Sequence, residues 1–265
     1  MLNLRRFALK NHIVQLAACA TLISCAATAD VPPATSQAEI ITAAVTNPNR
    51  PEKDTVRDTQ RKPADILQFF SIQPGQSVLD MYSGGGYYTE MLSYTVGEKG
   101  RVVAHNNTVY AGMTAEERAI RYGDDRLNNV EVLIAPNNAL ILPTDAFDVV
   151  LFSLAYHDIY YIDGFRGWEK VDRPAMLAQV FAATRAGGTV GVIDHIAQAD
   201  ADPAVVPKLH RIDPELIKRD FLAAGFVFES ESDVLLNTED DLKGMAMMPA
   251  YRGKTSRAVL KFSKP

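Results

Sequence analysis

The chain has 265 residues, 47% of them hydrophobic and 22% charged, with 27 basic and 32 acidic side chains and a net charge of −5. A mildly acidic chain without a basic stripe does not suit general nucleic-acid binding, which depends on neutralising phosphates. Both cysteines, Cys19 and Cys25, lie near the start, so disulfides, thiol chemistry and thiolate-rich metal sites are excluded from everything after them.

Residues 1–12 carry Arg5, Arg6 and Lys10 and no acid, and Ile13 to Ser24 is apolar. That run is too short to span a bilayer and has the layout of a secretory signal. Leu22-Ile-Ser-Cys25 resembles a bacterial lipobox, whose Cys is lipidated after cleavage, and Ala27-Thr-Ala29 offers an ordinary small-residue cleavage site. Arg5-Arg6 is only a faint twin-arginine signal. The expectation is an exported, periplasmic protein, touching a membrane only through a lipid at Cys25. Removing residues 1–25 takes three positive charges and leaves a net charge of −8. The expected divisions are a signal over 1–25, a tether and N-terminal lid helices over 26–60, and one folded domain over 61–265.

In chain order, Glu39 to Val45 reads as a short helix, and Pro63 opens another whose apolar face is Ile66, Leu67, Phe69 and Phe70. Gln73-Pro-Gly-Gln76 turns into a first strand, Ser77 to Tyr82. A helix over about 86–96 follows, ended by Gly97 and Gly100, and Arg101 to His105 is a second strand. Thr114-Ala-Glu-Glu117 fits a capping box opening a helix to Tyr122. Val130 to Ala135 is a third strand, and Phe147 to Leu154 is a continuous apolar run, as expected of a strand covered on both faces. A helix over 174–184, a strand over 189–194, a helix over 214–224 and strands over 226–231 and 257–262 complete the pattern. This alternation predicts an α/β fold with a mostly parallel sheet, helices on both faces and an antiparallel hairpin at the end.

The stretch Asp80-Met-Tyr-Ser-Gly-Gly-Gly86 joins the first strand to its helix. Glycine there lets the backbone turn sharply and come close to a ligand, and a helix N-terminus offers unpaired N–H groups. With Asp80 placed first, the segment resembles motif I of class I S-adenosylmethionine-dependent methyltransferases, with Tyr82 standing where the first glycine is expected. Ala146-Phe-Asp-Val-Val-Leu-Phe-Ser-Leu-Ala-Tyr-His-Asp158, Arg185-Ala-Gly-Gly188 and Ala223-Ala-Gly-Phe226 resemble later segments of the same family. The resemblance covers roughly residues 60–264 and is nearest to a group of exported bacterial methyltransferases. It implies a seven-stranded doubly wound Rossmann-like sheet, S-adenosylmethionine as cofactor and a small-molecule methyl acceptor.

The resemblance also assigns roles. Asp80, Gly84 and Gly86 match the groups at the methionine end of the cofactor, beside Tyr82. Asn106 takes the place of the ribose-binding acid, and Asn137 that of the adenine-side acid. Ser153 and Leu154 match the backbone lining the cofactor after the fourth strand. Beyond the cofactor, polar residues at strand ends are the candidates, because ligands of open α/β sheets bind there. His157 or His195 is a candidate general base, with Asp158 beside it. Asp158, Asp194 and His195 form an alternative divalent-metal set, by resemblance to catechol-type O-methyltransferases. A third reading has these groups only orienting loops, paired with Arg211 or Arg166. Tyr156, Tyr160, Tyr161, Phe165 and Trp168 are candidates for a substrate wall, and Arg57 to Arg61 for a lid.

A contrasting reading is a non-enzymatic envelope protein that keeps the fold and binds another ligand. The acceptor atom and the oligomeric state are not legible in the sequence.

Overall fold

The structure, a computed structural model, describes residues 35–265; the secretory signal, Cys25 and the start of the tether lie outside these residues. The described elements are α1 Gln37–Val45, α2 Glu52–Thr55, α3 Asp58–Arg61, α4 Pro63–Phe69, β1 Ser77–Met81, α5 Tyr87–Val96, β2 Arg101–Asn106, α6 Thr108–Met113 and α7 Ala115–Tyr122. They continue as β3 Val130–Ile134, β4 Phe147–Ser153, α8 Arg173–Ala183, β5 Thr184–His195, α9 Val206–Leu209, α10 Pro214–Ala223, β6 Val227–Glu231 and β7 Arg257–Ser263. No helix among the described residues is long and apolar enough to cross a membrane.

The seven strands lie in the order β3-β2-β1-β4-β5-β7-β6. The first five strands in this order form four parallel pairs, and β7 runs antiparallel to both β5 and β6. Alternate side chains feed two cores, as a pleated strand requires. Leu79, Val150 and Phe152 face one core with Met176, Leu177 and Phe221 of α8 and α10. Val78, Val149 and Leu151 face the other with Ile66, Leu67, Met91 and Leu92 of α4 and α5. Both faces of β1 and β4 are therefore covered, which is why β4 reads as an apolar run and all five residues of β1 are buried.

Ile41 of α1 is fully buried in the second core, and the compact unit runs from Thr35 to Pro265. The helix start comes from Ser36, whose hydroxyl accepts from Glu39 N while Glu39 reaches back to Ser36 N. The capping box expected at Thr114 does not form. A further helix, α6, precedes it, and the Thr114 hydroxyl donates to Tyr110 O (2.7 Å) and Gly84 O (3.2 Å) instead.

A buried charge network ties α2 to α5 and α7. The Arg121 guanidinium on α7 pairs with Glu90 on α5 and Asp54 on α2, all three being buried. Arg126 also reaches Glu90.

Candidate active site

At the end of β1 the chain passes through Tyr82, which adopts φ 53°, in the left-handed region that bulky side chains rarely enter. Gly84 (φ +60°) follows, and the space where its Cβ would sit is empty. Gly86 (φ +88°) caps α5, and a Cβ there would lie 2.3 Å from the Tyr122 hydroxyl. Gly84 therefore leaves the turn open, whereas Gly86 serves the conformation and the packing of α7.

The turn borders a cleft of about 340 Å³ at the carboxyl ends of β1, β4 and β5, within the usual range for small-molecule sites. Tyr82, Ser83 and Gly84 line one side, and Ser153, Leu154 and His195 the floor. Leu154 is also left-handed, at φ 56°, so two non-glycine residues in a strained region meet at the cleft. The Ser153 hydroxyl is buried without a hydrogen-bond partner among the described residues.

Arg57 and Arg61 of the α3 region cover the cleft from one side, and Arg252 and Arg257 from the other. The Arg61 guanidinium lies 4.4 Å over the Tyr87 ring and Arg257 donates to Gln60 O (2.8 Å); neither makes an ion pair among the described residues. Burial lowers the pKa of both, and a neighbouring guanidinium lowers each further, Arg57 acting on Arg61 and Arg61 on Arg257. Unpaired guanidinium groups beside a cleft favour an anionic group in it, because a buried charge is costly without a partner.

His195 is the sequence-read base that reaches the cleft. Its Nδ1 lies 2.7 Å from the Thr255 hydroxyl, and its Nε2 makes no hydrogen bond among the described residues. Burial pushes its pKa well below the usual imidazole value, and the nearby His157 and Arg257 charges add to this, so it is neutral.

His157, the other candidate base, does not line the cleft. Its Nδ1 is 2.7 Å from Asp194 Oδ1, and its Nε2 is 3.1 Å from His210 Nδ1. Burial alone would lower its pKa, but the Asp158 and Asp194 carboxylates outweigh that and raise it to about 9. An imidazole held protonated, with both nitrogens engaged, cannot take a proton at neutral pH.

The metal set read from the sequence is not the one assembled. Both Asp194 oxygens are used, Oδ1 by the His157 ring and Oδ2 by His157 N (2.7 Å). Among the described residues the ligand atoms that gather are those of His157, Asp158 and His210. Asp158 is further held by the Tyr110 hydroxyl (2.6 Å). Arg211 pairs with Asp240 and Arg166 with Asp163, so neither balances this group.

Three residues read as cofactor contacts make hydrogen bonds within the protein. Asp80 is only 2% exposed and accepts from the Thr89 hydroxyl at 2.6 Å, away from the cleft lining. Asn106 is fully buried and ties the turn together: it accepts from Gly84 N (2.8 Å) and donates to Ser83 Oγ (3.0 Å) and Gly84 O (3.1 Å). Asn137 accepts from the Tyr82 hydroxyl (2.9 Å). Their polar atoms hold the protein's own loops.

The aromatic cluster after β4 does not form a wall of the cleft. Tyr156 and Tyr160 donate to Asp220, and the Trp168 indole to Asp158 O, while Phe165 is fully exposed. Tyr87, Tyr110 and Met247 line the cleft instead. Sequence reasoning missed the cleft role of Arg257, because it opens an apolar strand. It also missed the cluster role of His210, 53 residues from His157.

Residues 52–160 match the family model described as protein-L-isoaspartate(D-aspartate) O-methyltransferase. Curated relatives are ubiquinone/menaquinone biosynthesis C-methyltransferases (UbiE). The Xanthomonas campestris pv. campestris protein is 27% identical over 190 residues, covering 66% of this chain and 65% of that one. The Hydrogenovibrio crunogenus protein is 26% identical over 134 residues, covering 48% of this chain and 45% of that one. The chain thus spans from under half to just under two-thirds of these relatives' length. Among solved structures, a SAM-dependent methyltransferase from Aquifex aeolicus superimposes with a TM-score of 0.52 at 20% identity, covering 78% of this chain and 98% of that one. The chain thus has the fold of S-adenosylmethionine-dependent methyltransferases and is similar in sequence to methyltransferases over part of its length.

Proposed function

We propose that the protein transfers a methyl group from S-adenosylmethionine to a small acceptor. The observation that carries this is the open turn at Gly84, facing a cleft between β1 and β4. That is where the strand order reverses, and where open α/β sheets bind their ligands. The orphaned Ser153 hydroxyl and the unpaired Arg61 and Arg257 fit the polar, carboxylate-bearing methionine end of the cofactor.

When bound, the cofactor supplies a methyl group activated by its sulfonium. The chain's own residues position the acceptor and receive its proton. The matching family model is an O-methyltransferase and the relatives are C-methyltransferases; either acceptor type gives up a proton, and His195, neutral and open at Nε2, is placed to take it. The arginines favour an acceptor that carries an acidic group.

A second reading, a non-enzymatic envelope protein with another ligand, is supported by Tyr82 in the first-glycine position and by the tied-off Asn106. Calorimetric titration with S-adenosylmethionine and S-adenosylhomocysteine separates the two. Micromolar binding, weakened by Arg61→Ala, supports the methyltransferase. Absence of binding to folded protein supports the second reading. For the segment outside the described residues, the proposal is export, with a lipid at Cys25. Mass spectrometry of the mature N-terminus tests it, an unlipidated start after Ala29 being the contrary result.

A further inference from the structure

We propose that His157, Asp158 and His210 form a transition-metal site, with three protein ligands and an open fourth position, that takes zinc in preference to magnesium. The three donor atoms already stand as such a site requires. His157 Nε2 is 3.1 Å from His210 Nδ1, and Asp158 Oδ1 is 3.4 Å from the first and 3.6 Å from the second. Zinc bonds to imidazole nitrogen and carboxylate oxygen are about 2.0–2.2 Å, so the edges of a tetrahedral site are about 3.3 Å long. A triangle with the observed sides has its nearest equidistant point about 2.0 Å from each corner, leaving an ion only slightly out of the ligand plane.

The surroundings are those of a ligand set. A metal-bound histidine usually presents its second ring nitrogen to a carboxylate, which fixes ring and tautomer. His157 does so, with Nδ1 2.7 Å from Asp194 Oδ1. The ligating carboxylate is held in turn, Asp158 Oδ2 accepting from the Tyr110 hydroxyl at 2.6 Å. The Tyr161 ring stacks on His210 with centroids 5.4 Å apart. His157 and Asp158 are buried, while the side chain of His210 is 21% exposed and gives an entry path. Two imidazoles with one carboxylate suit a borderline ion; magnesium prefers oxygen ligands in an octahedron. A second carboxylate at Asp194 adds to the attraction for a divalent cation.

The site stands behind the cleft wall, because Tyr110 lines the cleft and bonds to Asp158. It does not depend on the reading of the cleft as a methyltransferase site.

The test is titration of chelator-treated full chain with zinc and separately with magnesium, followed by a fluorescent zinc indicator in competition. A parallel cobalt(II) titration is read by its visible absorption. The expected result is one zinc per chain, no magnesium uptake at equal concentration, and intense four-coordinate cobalt bands. His210→Ala and His210→Asn should each weaken zinc at least about 100-fold and abolish those bands, and Asp194→Asn should weaken it about 10–100-fold. Asparagine tolerates the left-handed backbone at position 210 (φ 48°), so that variant guards against a folding defect. Failure to bind zinc, or equal binding by folded His210 variants, overturns the proposal.

Discussion

Asp80, the last residue but one of β1, is 2% exposed and accepts from the Thr89 hydroxyl. Burial raises its pKa from 3.8 to about 7, against the opposing pull of Thr89. The folded protein therefore holds this proton more tightly than the unfolded chain. The resulting stability is fully present below pH 4 and is lost as pH rises through 7. For these two pKa values the linkage relation gives a loss of about 2–3 kcal/mol between pH 5 and pH 8. Asp80→Asn keeps the shape and an acceptor for Thr89 but cannot ionise. Urea unfolding of both proteins at pH 5 and pH 8 isolates the effect, since every other titrating group is shared. Relative to the variant, the wild type should lose about 2–3 kcal/mol over that interval, roughly a 1 M shift in urea midpoint. Parallel pH profiles would refute the reasoning and show that the carboxyl is solvated or paired in the fold.

Arg121→Ala leaves Glu90 and Asp54 buried without their shared guanidinium and should cost about 3–5 kcal/mol at pH 7 in urea unfolding. A loss under 1 kcal/mol would mean that water replaces it. Phe221→Ala empties a fully buried site stacked on Phe262 at 4.7 Å, for about 3–5 kcal/mol. A much smaller change would show that the α10 face collapses into the gap. His195→Ala should slow methyl transfer about 100- to 10,000-fold while leaving cofactor affinity within a few-fold. Unchanged turnover would remove it from proton transfer.

The fold was legible because its signals are local and periodic. Apolar runs such as Phe147–Ser153 and breakers such as Gly97 and Gly225 mark strands and helix ends, and the glycine turn at 84–86 marks the ligand edge. The site was legible only in part. His195 could be placed because it ends a strand, and strand ends are where such sheets bind ligands. His157 ends no strand; it lies in a one-turn segment whose direction depends on Asp194 and His210, 37 and 53 residues away. Asn106 is the last residue of β2, and its amide complements the backbone of Gly84. A motif position fixes where a side chain starts, and its partners decide where the polar end goes. Arg57 and Arg61 lie in the segment read as a lid, whereas Arg252 and Arg257 went unread because their segment meets the first pair only in the folded chain.

That meeting joins residues far apart in order of synthesis. Arg257 holds Gln60 O across 197 positions, Lys62 reaches Val234 O, and Lys261 reaches Phe69 O and Ser71. The strand carrying Arg257 also inserts between β5 and β6. A ribosome-bound chain halted before residue 257 can therefore possess β1, the glycine turn and β4 and still lack one wall of the cleft. The cleft is completed only when β7 arrives, after long loops have closed at an entropic cost and the half-built sheet edge at β5 has stayed open to wrong partners. A cleft whose walls are this far apart in the chain cannot be assembled piecemeal: its shape is a property of the whole sheet.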